Sequence, residues 1–254
     1  PTPPIKLERV KGEFVYEYPR GIADGSLAAR FENQDILLDL NLDANDLGLS
    51  QKGFSIATST RLGGADINRL LGVTVPGGLL DGSSAFDIVF QAGEGVALNV
   101  TSDLDGLAVG LPPPFNKARE QSESLDIDLR ISDALSIDAA YSNNLSLAIA
   151  QDTEDTWRAL ASIGEVRPEL TLDDVDAGTT VISGRLEELD ISAWADTQAR
   201  FRSGGNPGLP AIVWRDFSVD RLALGETDFG AFSSTGQYEG GLTSLGLAGD
   251  FIKA

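Results

Sequence analysis

The sequence predicts an all-β fold with two short helices. Runs in which apolar and polar residues alternate recur along the whole chain, roughly a dozen or more of them at about 8–15-residue spacing. Gly, Pro, Asn and Asp punctuate the runs. Such spacing suits a sandwich, a barrel or an elongated sheet, and no long helical period lies between the runs, so parallel βαβ units are not expected. The texture is similar from end to end without a repeat of fixed length. This predicts one continuous segment over residues 1–254, with candidate boundaries at 119–123 and 203–208.

The elements follow in order. Pro1 to Pro4 is a lead-in. Val10, Gly12, Phe14, Tyr16 and Tyr18 alternate with Lys11, Glu13, Val15 and Glu17, the signature of an amphipathic strand. Pro19-Arg20-Gly21 turns into a strand over about 23–32. Ile36, Leu38, Leu40 and Leu42 form one face of the next, with Asp39, Asn41 and Asp43 on the other. Phe54 to Thr60 is a Ser/Thr-rich strand. Asp66 to Leu71 reads as the first helix, with Asp66 as its cap and Ile67, Leu70 and Leu71 at i, i+3, i+4 spacing. Ser84, Phe86, Ile88 and Phe90 alternate with Ala85, Asp87 and Gln91.

Beyond a polar linker at 119–123 comes the cleanest alternation. Leu125, Ile127, Leu129 and Ile131 face away from Asp126, Asp128 and Arg130, and Leu135–Tyr141 and Leu145–Ile149 repeat the pattern. Strands are expected at 156–163, 169–172 and 179–186. Ser192 to Phe201 reads as the second helix, with Ser192 as its N-cap, and three Gly-rich strands end the chain.

Composition excludes several functions. The 254 residues are 42% hydrophobic, as in globular proteins, and 19 Lys and Arg against 39 Asp and Glu leave a formal charge of −20. That charge argues against nucleic-acid binding and against docking on anionic bilayers. The chain has no Cys, His or Met. Disulfides, most zinc sites and every His-dependent nucleophile are thereby absent. The missing Met suggests a processed chain or an excised piece. No apolar run approaches the ~18 residues a membrane-spanning helix needs.

The acidic residues do not make a reactive site. Asp126 and Asp128, with Asp138 nearby, are the best carboxylate pairing for glycoside hydrolysis, but acids alternating with Leu and Ile in run after run describe a solvated strand face. Thr101–Gly106 has acids at the third and fifth positions of a calcium loop and Gly at the sixth. It lacks an acid at the first, and Pro112 stands at the twelfth. Trp157, Trp194 and Trp214 are scattered, as core residues are. No metal, cofactor or catalytic residue is therefore expected.

What remains is the apolar face itself. It is either the core of a closed sandwich or the lining of a sheet that curls without closing. An open apolar face that large would need a ligand, and composition alone does not choose between the two.

The stretch Val96–Ala118 adds an identifier. An alternating strand, the turn Ser102-Asp103-Leu104-Asp105-Gly106, a short apolar strand and the exit Leu111-Pro112-Pro113-Pro114-Phe115-Asn116-Lys117 follow one another. Together with Leu7–Tyr18 and Gly21, Gly63–Gly72, and Ser183-Gly184-Arg185-Leu186 with Leu189, Asp190 and Trp194, this order resembles the YhdP family of AsmA-like periplasmic proteins of Gram-negative bacteria. Phe115-Asn116 departs from the family's Leu-Gly, Ile22 replaces a Leu, and the last strands are abbreviated.

The resemblance implies a long, twisted, mostly antiparallel sheet curled into an open groove, as a segment of a longer parent anchored in the inner membrane. It implies a non-enzymatic role, phospholipid transport between the inner and outer membranes from a periplasmic location. The implied partners are phospholipid acyl chains and neighbouring segments of the parent or other envelope proteins. The residues expected to line the groove are Ile36, Leu38, Leu40, Leu42, Phe86, Ile88, Phe90, Leu125, Ile127, Leu129, Ile131, Leu135, Ile137, Leu145, Leu147 and Ile149. The alternative is a structural or protein-binding periplasmic domain with a closed core.

Overall fold

The computed structural model describes residues 7–18, 21–31, 34–41, 54–71, 76–93, 95–151, 156–164, 170–201, 211–239 and 242–249. In chain order they form β1 (Glu8–Glu17), β2 (Gly21–Phe31), β3 (Gln34–Asn41), β4 (Phe54–Gly63), α1 (Gly64–Leu71), β5 (Leu80–Ala92), β6 (Val96–Ser102), β7 (Leu107–Val109), β8 (Leu125–Ile131), β9 (Leu135–Tyr141) and β10 (Leu145–Gln151). There follow β11 (Trp157–Gly164), a 3-10 turn (Leu172–Asp174), β12 (Thr179–Asp190), α2 (Ile191–Phe201), β13 (Ala211–Leu224), β14 (Thr227–Asp228), β15 (Phe232–Glu239) and β16 (Leu242–Gly249). The strands belong to one large mixed sheet that is not closed into a barrel. The expected strand-rich, open architecture with two short helices is what is observed.

The chain forms two compact units. The first comprises Pro1–Ala108 and Ala118–Ile137, the second Val109–Lys117 and Asp138–Ala254. In the first unit the sheet order β1-β2-β3-β4-β5-β6-β8 is antiparallel at every step. In the second, β10 pairs antiparallel with β11, and β13 with β15, and β15 with β16. The pairs β11–β12 and β12–β13 are parallel.

The parallel pairs correct the expectation that such units are absent. Each needs a crossover of a dozen or more residues. One contains α2. Among its described residues the other carries the 3-10 turn, where a strand was expected at 169–172; of that stretch, residues 170–172 lie in the described part, and Leu172 begins the turn. Neither α2 nor the 3-10 turn is long enough to give a long helical period to read.

Both helix caps also differ from expectation. The carboxylate of Asp66 lies inside α1 and accepts from the Gly63 N–H at 3.1 Å, the reach-back half of a capping box. Asp190, not Ser192, caps α2: its Oδ1 accepts from the N–H of Ser192 at 2.8 Å and of Ala193 at 3.4 Å.

Two exposed carboxylates couple the fold to pH. Asp174 is held below the usual carboxylate range by the Thr171 N–H and hydroxyl. Asp228 is held low by the Gly230 N–H and the Arg221 guanidinium. A carboxylate whose pKa falls on folding stabilises the native state above its unfolded value, and that contribution disappears as pH drops through the folded value. The melting temperature is therefore expected to fall as pH goes below about 4, and less steeply in an Asp174→Asn/Asp228→Asn double variant. Parallel pH–melting curves for the two proteins would contradict this.

Candidate functional site

Cross-strand partners in register share a face of a sheet, and successive residues alternate between faces. In the first unit this rule sorts the side chains cleanly. One row crosses the sheet as Phe14–Gly25–Leu40–Ile56–Phe90–Leu98–Leu129. A second runs Thr58–Ile88–Val100–Ile127, and a third Phe54–Ala92–Val96–Ile131. No side chain in these rows is ionisable. The rings of Phe54 and Phe90 lie 6.2 Å apart between two rows of this face.

The opposite face carries Ser26–Asp39–Ala57–Val89–Asn99–Asp128 and Ser59–Asp87–Thr101–Asp126. Three of the acids there are tied locally. Asn99 Nδ2 donates to Asp126 at 3.3 Å and to Asp128 at 3.1 Å, and the Ser59 hydroxyl donates to Asp87. The pair singled out as a possible acid/base couple is thus bridged by one amide on the polar face. Among the described residues no group of three or more His, Cys, Asp and Glu is placed to hold a metal ion.

Burial grades along the apolar face. At one strand end Leu62, Ser84 and Phe86 are buried, the Ser84 and Ser102 hydroxyls are 3.3 Å apart, and Thr60 Oγ1 donates to Gln34. Toward the other end the side chains are half-buried, and Ile131 is 45% exposed. The hydroxyl oxygen of Thr58 is buried on this face with no hydrogen-bond partner.

The expected lining residues distribute accordingly. Ile36, Leu38, Leu40 and Phe86 are buried, and Ile131 is exposed. Ile88, Phe90, Leu125, Ile127, Leu129, Leu135, Ile137, Leu145, Leu147 and Ile149 are half-buried. Leu42 lies outside the described residues. The register adds Phe54, Ile56, Val96, Leu98 and Val100 to the same face of the first unit. Their alternation is visible in the sequence, but a shared face with Phe90 and Leu129 follows only from the register.

The second unit has its own apolar face. Leu147–Ala161–Ile182–Trp214–Gly236 form one row and Leu145–Ile163–Gly184–Phe217–Ser234 another. Part of this face is already covered. Phe115, Leu186 and Val219 are buried together, and Leu111, Tyr141, Leu145, Ile163, Leu189, Trp194 and Phe217 pack against them. Phe115 meets Trp194 edge-on at 5.8 Å, a geometry worth about 0.5–1.5 kcal/mol beyond area. Leu160, Val175 and Val181 form a separate cluster on the opposite face, under the 3-10 crossover.

The identifying stretch is structural in detail. The carboxylate of Asp103 accepts from the Asp105 N–H at 3.0 Å, and Ser102 Oγ accepts from the Leu104 N–H at 3.0 Å. Both are local turn bonds. Val109 and Lys117 exchange backbone hydrogen bonds at 2.9 and 3.0 Å, closing the proline segment into a loop.

No helix among the described residues is long and apolar enough to cross a membrane. No curated protein and no solved structure matches the chain. A family model described as "YhdP protein" matches residues 1–254. The resemblance read from Val96–Lys117 and the Gly184–Trp194 segment is therefore carried by the entire length, and the chain belongs to the YhdP family.

Proposed function

We propose that this chain is a non-enzymatic, lipid-bearing segment whose apolar sheet faces shield phospholipid acyl chains as they pass between the inner and outer membranes of a bacterial envelope. The observation that carries this reading is the set of three rows on the first unit. They are apolar apart from the lone Thr58 hydroxyl, free of ionisable groups, largely half-exposed, and backed by acidic rows. Family membership supports an envelope role.

The physics suits the cargo. Burying an acyl chain of about sixteen carbons yields roughly 13 kcal/mol gross at ~0.8 kcal/mol per CH₂. Side chains without charge or strong polarity hold each position along a row about equally, so a chain slides with low barriers. Headgroups stay in water. In this reading the apolar face of each unit lines a groove, in the periplasm. The parent is anchored in the inner membrane, and its neighbouring segments or other envelope proteins pair with the outermost strands, as exposed sheet edges need covering.

Neighbouring residues on opposite faces provide the test. A photo-crosslinking residue at Leu129 is expected to capture phospholipid in cells, and the same residue at Asp128 is not. Equal labelling at the two positions overturns the reading in favour of a structural domain with a closed core.

A further inference from the structure

The second unit's apolar face has an occupant of its own. The loop Val109–Lys117 leaves the first unit after Ala108, contributes nine residues to the second, and returns to the first at Ala118. Its Phe115 is buried at 6% exposure against Leu186 and Val219, with Leu145, Ile163 and Phe217 beside it. Leu145, Ile163 and Phe217 belong to the row next to Leu147–Ala161–Ile182–Trp214. Phe115 therefore lies on the same apolar face that the proposed function assigns to acyl chains.

The loop is closed on itself, and its Lys117 is buried with Phe115. Its own bonds are good: Val109 and Lys117 bridge each other at 2.9 and 3.0 Å, and the Phe115 N–H donates to Pro112 O at 3.0 Å. Two bonds to β9 and the turn after it are long: Tyr141 Oη donates to Phe115 O at 3.3 Å, and Asn144 Nδ2 donates to Pro114 O at 3.4 Å. Hydrogen bonds at that length are at the weak end of the range. The Phe115 side chain itself is held by apolar contact with Leu186, Val219 and Trp194, which an acyl chain can replace in kind.

We infer that the Val109–Lys117 strap is an internal plug: Phe115 covers the apolar face of the second unit when no lipid is present and is displaced when an acyl chain takes its place. This rests on the reading of that face as an acyl-chain surface. A site open only part of the time binds with an affinity reduced by the open fraction, so loosening the strap strengthens lipid binding.

The three tryptophans supply the assay. Trp194 touches Phe115, and Trp214 lies on the neighbouring row. A Trp157→Phe/Trp214→Phe variant of the full chain reports on Trp194, and a Trp157→Phe/Trp194→Phe variant on Trp214. Each is titrated with a lysophospholipid brominated along its acyl chain, which quenches indole fluorescence on contact. Both tryptophans are expected to be quenched. Tyr141→Phe with Asn144→Ala in the Trp194 reporter is expected to lower the half-quenching concentration about two- to fivefold, the worth of weak hydrogen bonds.

Quenching of Trp214 without Trp194 overturns the plug and leaves the lipid reading intact. So does an unchanged half-quenching concentration in the loosened strap. Failure to quench either tryptophan overturns both.

Discussion

Deleting Asp216 is expected to unfold the second unit, whereas Asp216→Gly leaves it at least as stable as the parent. Asp216 is an extra residue in β13. The register steps from Ser183↔Arg215 to Gly184↔Phe217 against β12, and from Trp214↔Gly236 to Phe217↔Ser234 against β15. Its φ of +51° is the left-handed conformation of a bulge.

The bulge resets the alternation. Ile212 and Trp214 precede it, Phe217 and Val219 follow it, and all four point to one face although their numbers change from even to odd. Without Asp216 one pair must turn to the other side, because a one-residue slip exchanges the faces of a strand. Exposing Phe217 and Val219 would cost about 3–6 kcal/mol at roughly 1.5–3 kcal/mol per side chain. That is a large part of the ~5–15 kcal/mol that holds a domain together. The glycine substitution keeps the bulge and removes the left-handed penalty of about 1–2 kcal/mol. Urea denaturation of the two variants checks the pair of outcomes; a deletion variant with native midpoint contradicts the assignment.

Gly184→Ala is expected to destabilise the protein by about 3 kcal/mol or more, as measured by the shift in denaturation midpoint at constant m-value. Gly184 has φ +131°, and a Cβ there would stand 1.9 Å from the carbonyl oxygen of Ile163. The reciprocal position is as tight: at Gly164, φ +73°, a Cβ would stand 1.8 Å from Arg185 O. The obstacles are backbone atoms of the paired parallel strands β11 and β12, not side-chain ends that can swing aside. Relief requires the strands to part where Ile163 packs beside Leu186 and Val219. Gly178→Ala is the control for backbone conformation alone. That glycine also has positive φ, at +77°, but nothing lies within 4 Å of its would-be Cβ, so its cost is limited to about 1–2 kcal/mol.

Much of this architecture is legible in the sequence because the strand period is short and local. The alternation Leu125-Asp126-Ile127-Asp128-Leu129 needs no partner to declare a strand with one apolar face, and it lies within β8, Leu125–Ile131. The same holds for Leu135–Tyr141 and for Phe86–Phe90 within β5. The absence of Cys and His and of a long helical period was equally local information. So was the order of turn, short strand and proline exit at Val96–Lys117 that pointed to the family.

The register, the parallel pairs and the strap belong to tertiary structure, for identifiable reasons. Whether Leu40 stands beside Ile56 and Phe90 depends on pairings among residues far apart in the chain, and alternation within one strand says nothing of its neighbour's phase. Trp214 and Phe217 look out of step until the bulge at Asp216 is seen, since an extra residue reads in sequence as a broken pattern. The two parallel ladders leave no long helical period in the sequence, since α2 is short and the described residues of the other crossover hold a 3-10 turn. Phe115 read as part of a proline-rich exit. Only packing against Leu186, Val219 and Trp194, which come 71 to 104 residues later in the chain, makes it core, because burial is a property of what approaches a side chain and not of the residues on either side of it.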